Sequence, residues 1–344
     1  MRIIQVTPRY PPRTGGVETH VKELSERLVN RGHDVTVLTA DDGDDVQTQE
    51  SRNGVEVLRH RGFAPSGAFH IAPGILSTLF GTDADIVHAH NYHSFPLLFA
   101  AVAARDARFI ASPHYHGGSA SSFRDRLLSV YRPVGGWALH RAAELIAVSD
   151  WERDQLADDF RTDARVVPNG VDIGRFRDAE PRVRERPYLL TVGRLEVYKG
   201  VQHVIRALPH LPEYDLLVAG SGPHRESLER LAETVGIADR VTFLGYVDDN
   251  DLPALYAGAE AYVTMSSFEA YGMTVAEALA AETPCVVRKK AALADWLDRS
   301  GCIGVDRLSP KEVASSIETA VGVTEFASPI SWEEMTDRVQ RIYC

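Results

Sequence analysis

Two periodicities alternate along this chain, and their alternation restricts the folds open to it. Short β-branched runs are followed by stretches whose apolar residues recur at helical spacing. After a run over residues 2–6, Val17, Val21, Leu24 and Leu28 mark one face of a helix that Gly32 closes. The next run covers residues 34–40, and further strands are expected at 55–60, 86–90, 109–114 and 145–149. The scheme repeats in the second half, with strands at 188–192, 216–219, 241–244, 261–265, 285–287 and 303–305. Helices are expected between them at 201–208, 225–235, 251–256, 274–281 and 310–320. Such alternation predicts parallel sheets covered by helices on both faces, an α/β class of fold.

With 344 residues there is chain enough for two such domains. The segment at 172–187 is polar, rich in Pro and Arg and without a period, and reads as a linker. The expected division is therefore 1–171 and 172–330, followed by a final helix over 332–343. A net charge of −11 speaks against nucleic acid as a partner, since phosphate backbones select basic proteins. The opening run Met1-Arg2-Ile3-Ile4-Gln5-Val6 is too short for a secretory signal. The longest apolar stretch, 95–104, falls short of the roughly 20 residues of a membrane-spanning helix. Cys285, Cys302 and Cys344 lack metal-type spacing and suit a reducing compartment, so a cytoplasmic protein is expected.

The stretch from Ser266 to Ala280 carries the most chemistry. A β-rich run leads into it and an Ala-rich helical run leaves it, which places Glu269 in a loop and Glu277 inside the helix. A helix starting near Gly272, Met273 and Thr274 offers unpaired backbone N–H groups and the positive end of its dipole to a phosphate. Two carboxylates beside that seat would repel the phosphate and suit hydroxyl groups instead. The ligand they describe is a polyol carrying a phosphate: a sugar nucleotide.

Other segments add to this pattern. Near the start stands Pro8-Arg9-Tyr10-Pro11-Pro12-Arg13-Thr14-Gly15-Gly16-Val17-Glu18. Val167-Pro168-Asn169-Gly170-Val171-Asp172 follows, then Val192-Gly193-Arg194-Leu195-Glu196-Val197-Tyr198-Lys199-Gly200, then Val218-Ala219-Gly220-Ser221-Gly222-Pro223. With these motifs in this order over nearly its whole length, the chain resembles the retaining glycosyltransferases of family 4. The resemblance implies the GT-B fold, in which two Rossmann-like doubly wound domains face a central cleft. It also implies a first domain that binds the acceptor, a second that binds the donor, and a C-terminal helix (331–344) crossing back onto the first.

Arg194 and Lys199 follow the first strand of the second domain, in a loop ended by Gly200. Two fixed cations there would stabilise the charge growing on a departing diphosphate more than they stabilise the ground state. The resemblance assigns Glu277 to the ribose hydroxyls and Glu269 to the donor sugar or its reacting face. Gly15 and Gly16 let backbone amides approach a ligand closely. The donor expected is a UDP- or GDP-sugar, and no cofactor is expected.

His88, His90, His93, His114 and His116 crowd the ends of two strands. Residues two apart share a face, so the pairs His88/His90 and His114/His116 have the spacing of a metal site, though no carboxylate or cysteine matches it. GT-B transferases generally need no bound metal, and no residue is assigned to one. The resemblance places one active-site histidine after Ile110-Ala111-Ser112-Pro113, which His114 fits, with His116 as its rival. One departure stands out: the family's Gly-Gly pair and following Glu are replaced by Arg288-Lys289-Lys290-Ala291-Ala292-Leu293-Ala294-Asp295-Trp296, with Asp295 the candidate substitute for the Glu.

The stretch 107–141 interleaves Arg108, Arg124, Arg126, Arg132 and Arg141 with Phe123, Leu127, Leu128, Val130, Tyr131 and Trp137, against Asp125 alone. Apolar and basic residues together suit an anionic membrane surface or a lipid-linked saccharide acceptor, and equally an ordinary helix with one side in the core. Rival readings are a sugar-nucleotide epimerase of the same fold, a His-cluster metalloenzyme, and a sugar-nucleotide sensor without turnover.

Overall fold

The computed structural model describes residues 1–40, 47–64, 70–117 and 122–344. Gly118 and the side chains of Phe123, Arg124, Asp125 and Leu127 lie outside the described residues. The chain forms two compact units, Met1–Gly170 with Trp332–Cys344, and Val171–Ser331.

The first unit is built on β1 (Arg2–Thr7), β2 (Asp34–Thr39), β3 (Gln49–Arg52), β4 (Val55–Arg59), β5 (Ile86–His90), β6 (Arg108–Ser112), β7 (Glu144–Ala147) and β8 (Arg165–Val166). Their order in the sheet is β3-β4-β2-β1-β5-β6-β7-β8, parallel except for the β3–β4 pair. All five residues of β5 are buried, as a strand covered on both faces requires. The helix Gly16–Asn30 turns Val21, Leu24 and Leu28 inward, and the backbone reverses at Gly32, whose φ is +82°.

The C-terminal helix Trp332–Tyr343 packs on Gly16–Asn30 within this unit. Glu333 bridges Arg27 (3.0 Å) and Arg31 (2.8 Å), and Asp337 meets Arg31 at 2.7 Å. At its far end the buried Tyr343 hydroxyl takes a hydrogen bond from Gln5 Nε2 at 3.0 Å and lies 2.7 Å from His88 Nδ1.

The second unit carries β9 (Tyr188–Val192), β10 (Asp215–Ala219), β11 (Val241–Gly245), β12 (Ala261–Thr264), β13 (Cys285–Arg288) and β14 (Cys302–Val305). They form an all-parallel sheet in the order β11-β10-β9-β12-β13-β14. The segment expected as a linker is structured in part. Asp172 accepts a hydrogen bond from the Arg175 N–H and caps a helix over Ile173–Arg177, which buries Phe176 against Tyr256. One buried aromatic anchors five residues too few to show a period.

In each sheet the chain order reverses beside the first strand of the unit: between β1 and β5, and between β9 and β12. Connections leave those neighbouring strand ends toward opposite faces and open a crevice at their carboxyl ends, where ligands bind in doubly wound sheets.

Candidate functional site

In the second unit the loops after β9 and β12 meet at that reversal. The β9 loop ends in a 3₁₀ turn over Val197–Lys199 and a left-handed Gly200, φ +77°. A Cβ at Gly200 would stand 2.3 Å from the Met265 carbonyl oxygen, so only glycine lets the loops come this close. The Ser267 N–H donates to Tyr198 O at 2.9 Å and fastens one loop to the other.

This contact delivers Lys199 Nζ to Glu269 Oε1 at 2.6 Å, with both side chains largely buried. Burial pulls the Lys199 pKa down, but the Glu269 carboxylate outweighs it and the net shift is upward. Arg194 sits beside this pair on the wall of a small cavity it shares with Thr191, Gly193, Lys199 and Thr264. Its side chain is 72% exposed and meets Glu196 at 3.1 Å. Each expected phosphate cation is thus paired with a carboxylate, which the sequence spacing did not show.

The helix after this loop runs Met273–Ala280 from a left-handed Gly272, φ +96°. The N–H groups of Met273 and Thr274 lie in its first turn, where no earlier helical carbonyl can pair with them. The Thr274 hydroxyl accepts from Tyr262 at 2.6 Å, which ties its side chain to the strand Ala261–Thr264. Glu277 takes a hydrogen bond from the Tyr256 hydroxyl at 2.9 Å. Burial pushes its carboxyl up to about 7, against the opposing pull of that hydroxyl.

The segment that departs from the family pattern holds the site loop in place. Ala292 N–H donates to Glu269 O at 3.3 Å, and Trp296 Nε1 donates to Tyr271 O at 2.7 Å. Ala291 enters this 3₁₀ segment with φ +52°, a left-handed conformation that costs a non-glycine residue about 1 kcal/mol. The missing glycines therefore leave the backbone path possible but strained at Ala291. Asp295 lies in the same segment.

In the first unit Gly15 ends the loop after β1. A Cβ there would come 2.3 Å from Glu18 Oε2, and Glu18 meets Arg9 Nε at 2.9 Å. Gly15 thus admits a buried carboxylate from its own helix, whereas a Cβ on Gly16 would meet open space.

The histidines are sorted by their partners. His88 is spent on Tyr343 and on the Ser112 hydroxyl, 2.8 Å from its Nε2. His116 stacks on His93 with ring centroids 4.1 Å apart. His90 and His114 are joined by His20, with His20 centroids 5.4 Å and 5.1 Å from them. His114 is buried, sits at φ +46°, and has no partner for Nε2. Burial drops the His20 pKa to about 4 and holds His90 and His114 well below the usual imidazole range.

His20 was not foreseen from the sequence. Its signal is a polar residue three positions after Val17, on the inward face of the helix. Asn169, from the Val167–Asp172 motif, is buried and accepts from His20 Nδ1 at 2.8 Å. Behind His114, the buried Glu152 accepts from the Tyr115 N–H at 2.5 Å and the Val148 N–H at 2.7 Å, and burial pushes its carboxyl up to about 8.

The basic, apolar stretch of this unit is less basic than its composition. Arg132 is paired with Asp159, and Arg108 lies 3.7 Å from Glu144, leaving Arg126 and Arg141 exposed. In the same unit Leu76, Leu98, Phe99, Val102, Val134 and Trp137 line an apolar groove, with Val134 and Trp137 each 47% exposed. Among the described residues no helix is long and apolar enough to cross a membrane.

Residues 14–175 match the model of Glycosyltransferase Family 4, and residues 172–320 that of Glycosyl transferases group 1. An uncharacterised glycosyltransferase of Methanocaldococcus jannaschii is 31% identical over 83% of this chain and 80% of its own length. A GDP-mannose-dependent α-(1-6)-phosphatidylinositol monomannoside mannosyltransferase of Mycolicibacterium smegmatis is 30% identical over 79% of this chain and 75% of its own. In fold, the chain is similar to HepE of Anabaena in complex with UDP-glucose, with a TM-score of 0.80 at 17% identity, over 99% of both chains. The two α/β units have the GT-B fold, and the chain belongs to the group 1, family 4 glycosyltransferases, enzymes that use nucleotide sugars.

Proposed function

We propose that this enzyme moves a sugar, with retention of anomeric configuration, from a UDP- or GDP-sugar to a hydroxyl of a lipid-linked saccharide or glycolipid precursor. The observation that carries the donor half is the convergence of Lys199, Glu269 and the first turn of the Met273–Ala280 helix at one sheet reversal. Lys199, Arg194 and the N–H groups of Met273 and Thr274 hold the diphosphate, with no divalent ion needed there. Glu277 accepts from the ribose hydroxyls and Glu269 from the transferred sugar. The bond between the anomeric carbon and the diphosphate oxygen breaks as the acceptor oxygen bonds on the same face, and the leaving phosphate takes the acceptor's proton. Cations fixed before that charge develops lower the barrier, because they need no reorganisation when it appears.

In the first unit, His114 orients the transferred sugar, Gly15 and Gly16 let backbone approach the substrates, and this unit binds the acceptor. The groove beside Trp137, with Arg126 and Arg141, supports a lipid-borne acceptor reached from an anionic membrane surface. The name of the mycobacterial relative points the same way. Three free thiols support a reducing, cytoplasmic setting.

Calorimetric titration with a panel of UDP- and GDP-sugars, with and without chelator, tests the donor half. One donor should bind regardless of chelator and lose affinity in Arg194→Ala. Binding of no donor, or equal binding by the variant, would overturn it.

A further inference from the structure

We propose that Cys285 and Cys302 form a reversible disulfide beneath the Met273–Ala280 helix, and that closing it weakens the hold on the donor. The two residues are register partners on the parallel strands β13 and β14. Neighbouring strands lie about 4.7–4.9 Å apart, inside the Cα separations of about 4.4–6.8 Å that disulfides span. Register partners also point to one face of a sheet. Val286 and Ile303, the next pair along, belong with Val204 and Ile317 to the core on the opposite face. Cys285 and Cys302 therefore share the face that carries the donor helix.

Cys285 is buried, and its Sγ lies 3.9 Å from Val275 O in the first turn of that helix and 3.5 Å from Thr283 O. Gly301, next to Cys302, has φ +98°, and a Cβ there would come 2.6 Å from Leu279 Cδ2. Val275 and Leu279 stand four apart on one helical face, so the helix rests along the row that the two cysteines form. Its functional groups are held from the same row. Tyr262, the register partner of Cys285 on its other side, donates to the Thr274 hydroxyl at 2.6 Å. Thr283 donates to Tyr256 O at 2.7 Å, and the Tyr256 hydroxyl donates to Glu277. A disulfide draws the sulfurs to about 2.05 Å and leaves no S–H to donate. The Val275 and Thr283 carbonyls then lose their partner, and the helix bearing Glu277 loses part of its seat. The effect on donor binding rests on the donor reading above; the disulfide itself does not.

Cys302 is the more accessible of the two thiols, so an oxidant meets it first. Burial, and then the neighbouring Cys302 thiol, hold the Cys285 thiol well above its ordinary range, so Cys285 follows rather than leads. The oxidant is a hydroperoxide, small enough to reach a partly covered sulfur. The Cys302 thiolate attacks one peroxide oxygen; the S–O bond forms, the O–O bond breaks, and the departing oxygen takes a proton. The Cys285 sulfur then attacks that of Cys302; the S–S bond forms as the S–O bond breaks, and the leaving hydroxide takes the Cys285 proton as water. The two thiols give up two electrons, and one hydroperoxide accepts them. In a reducing compartment such a bond is transient and serves as a sensor, and a thiol reductant reopens it.

The test treats the full reduced chain with hydrogen peroxide and maps its peptides by mass spectrometry. UDP and GDP are then each titrated by calorimetry before oxidation, after it, and after re-reduction with dithiothreitol. A peptide cross-linked through Cys285 and Cys302 should appear and vanish on reduction. The nucleotide that binds the reduced chain should bind the oxidised chain about 5- to 150-fold more weakly, the usual range of coupling between two sites, and recover on reduction. Cys302→Ser should keep its affinity through the same treatment. Absence of the cross-linked peptide, or a cross-linked chain that binds as tightly as the reduced one, overturns the proposal. A reduced chain that binds neither nucleotide would overturn the donor reading instead, and the cross-linked peptide would still decide the disulfide.

Discussion

Lys199 and Glu269 should respond in opposite directions when a nucleoside diphosphate without its sugar is the ligand. In the free protein Lys199 is occupied by Glu269 at 2.6 Å, so a diphosphate must compete with a carboxylate for the same ammonium. Unit charges about 4 Å apart interact by about 4 kcal/mol at the effective dielectric of a protein surface. The side chains are 23% and 20% exposed, and the released carboxylate regains water, so about 1–2 kcal/mol of that competition should remain. Glu269→Gln, which keeps the shape and removes the charge, should therefore tighten UDP or GDP by about 5- to 30-fold while turnover of the full donor falls. Lys199→Met should weaken the same ligand by at least as much. Isothermal titration of both variants against wild type reads this directly. Weaker binding in both variants would refute the reasoning, because Glu269 would then be helping to hold the nucleotide.

Arg194→Ala should cost about 10²- to 10³-fold in turnover with the unfolding curve unchanged, since the side chain is mostly in solvent. Donor affinity should rise as pH climbs through about 7: below that value the Glu277 carboxyl keeps its proton, and only the ionised carboxylate above it can accept from both ribose hydroxyls. The diester diphosphate of a donor does not titrate in that window, so Glu277→Gln should give a weak, flat profile, and a flat wild-type profile would contradict the assignment. Tyr343→Phe should lower unfolding stability by about 1–3 kcal/mol in a denaturant melt by leaving buried polar atoms of Gln5 and His88 without their partner. Vesicles rich in anionic lipid should co-sediment the protein at low salt, and Trp137→Ala should release it; vesicles that never retain the wild type would remove the membrane part of the proposal.

Much of the fold was legible because its strands are buried on both faces and read as continuous apolar runs. The expected strands at 86–90 and 188–192 coincide with β5 and β9, and the final helix is Trp332–Tyr343 as expected. What escaped was held by partners rather than by its own pattern. β3 is Gln49-Glu50-Ser51-Arg52, with no apolar residue, and exists through antiparallel pairing with β4. The helix Ile173–Arg177 depends on one cap and one buried ring. At the donor site the residue types could be read, but the ion pair between Lys199 and Glu269 spans 70 positions, and no local spacing reveals such a contact. The histidines show the same limit. Strand periodicity correctly put His88 and His90 on one face, yet the structure pairs His90 with His114 and with His20 from a different element.

The central claim is retaining transfer from a nucleotide sugar, and turnover with the donor selected by calorimetry tests it most directly. Released nucleoside diphosphate is counted, and the anomeric configuration of the product is read by proton NMR. The account predicts release that depends on acceptor, with a product of the same configuration as the donor. Inverted product, or a nucleotide sugar altered with no acceptor present, would contradict it.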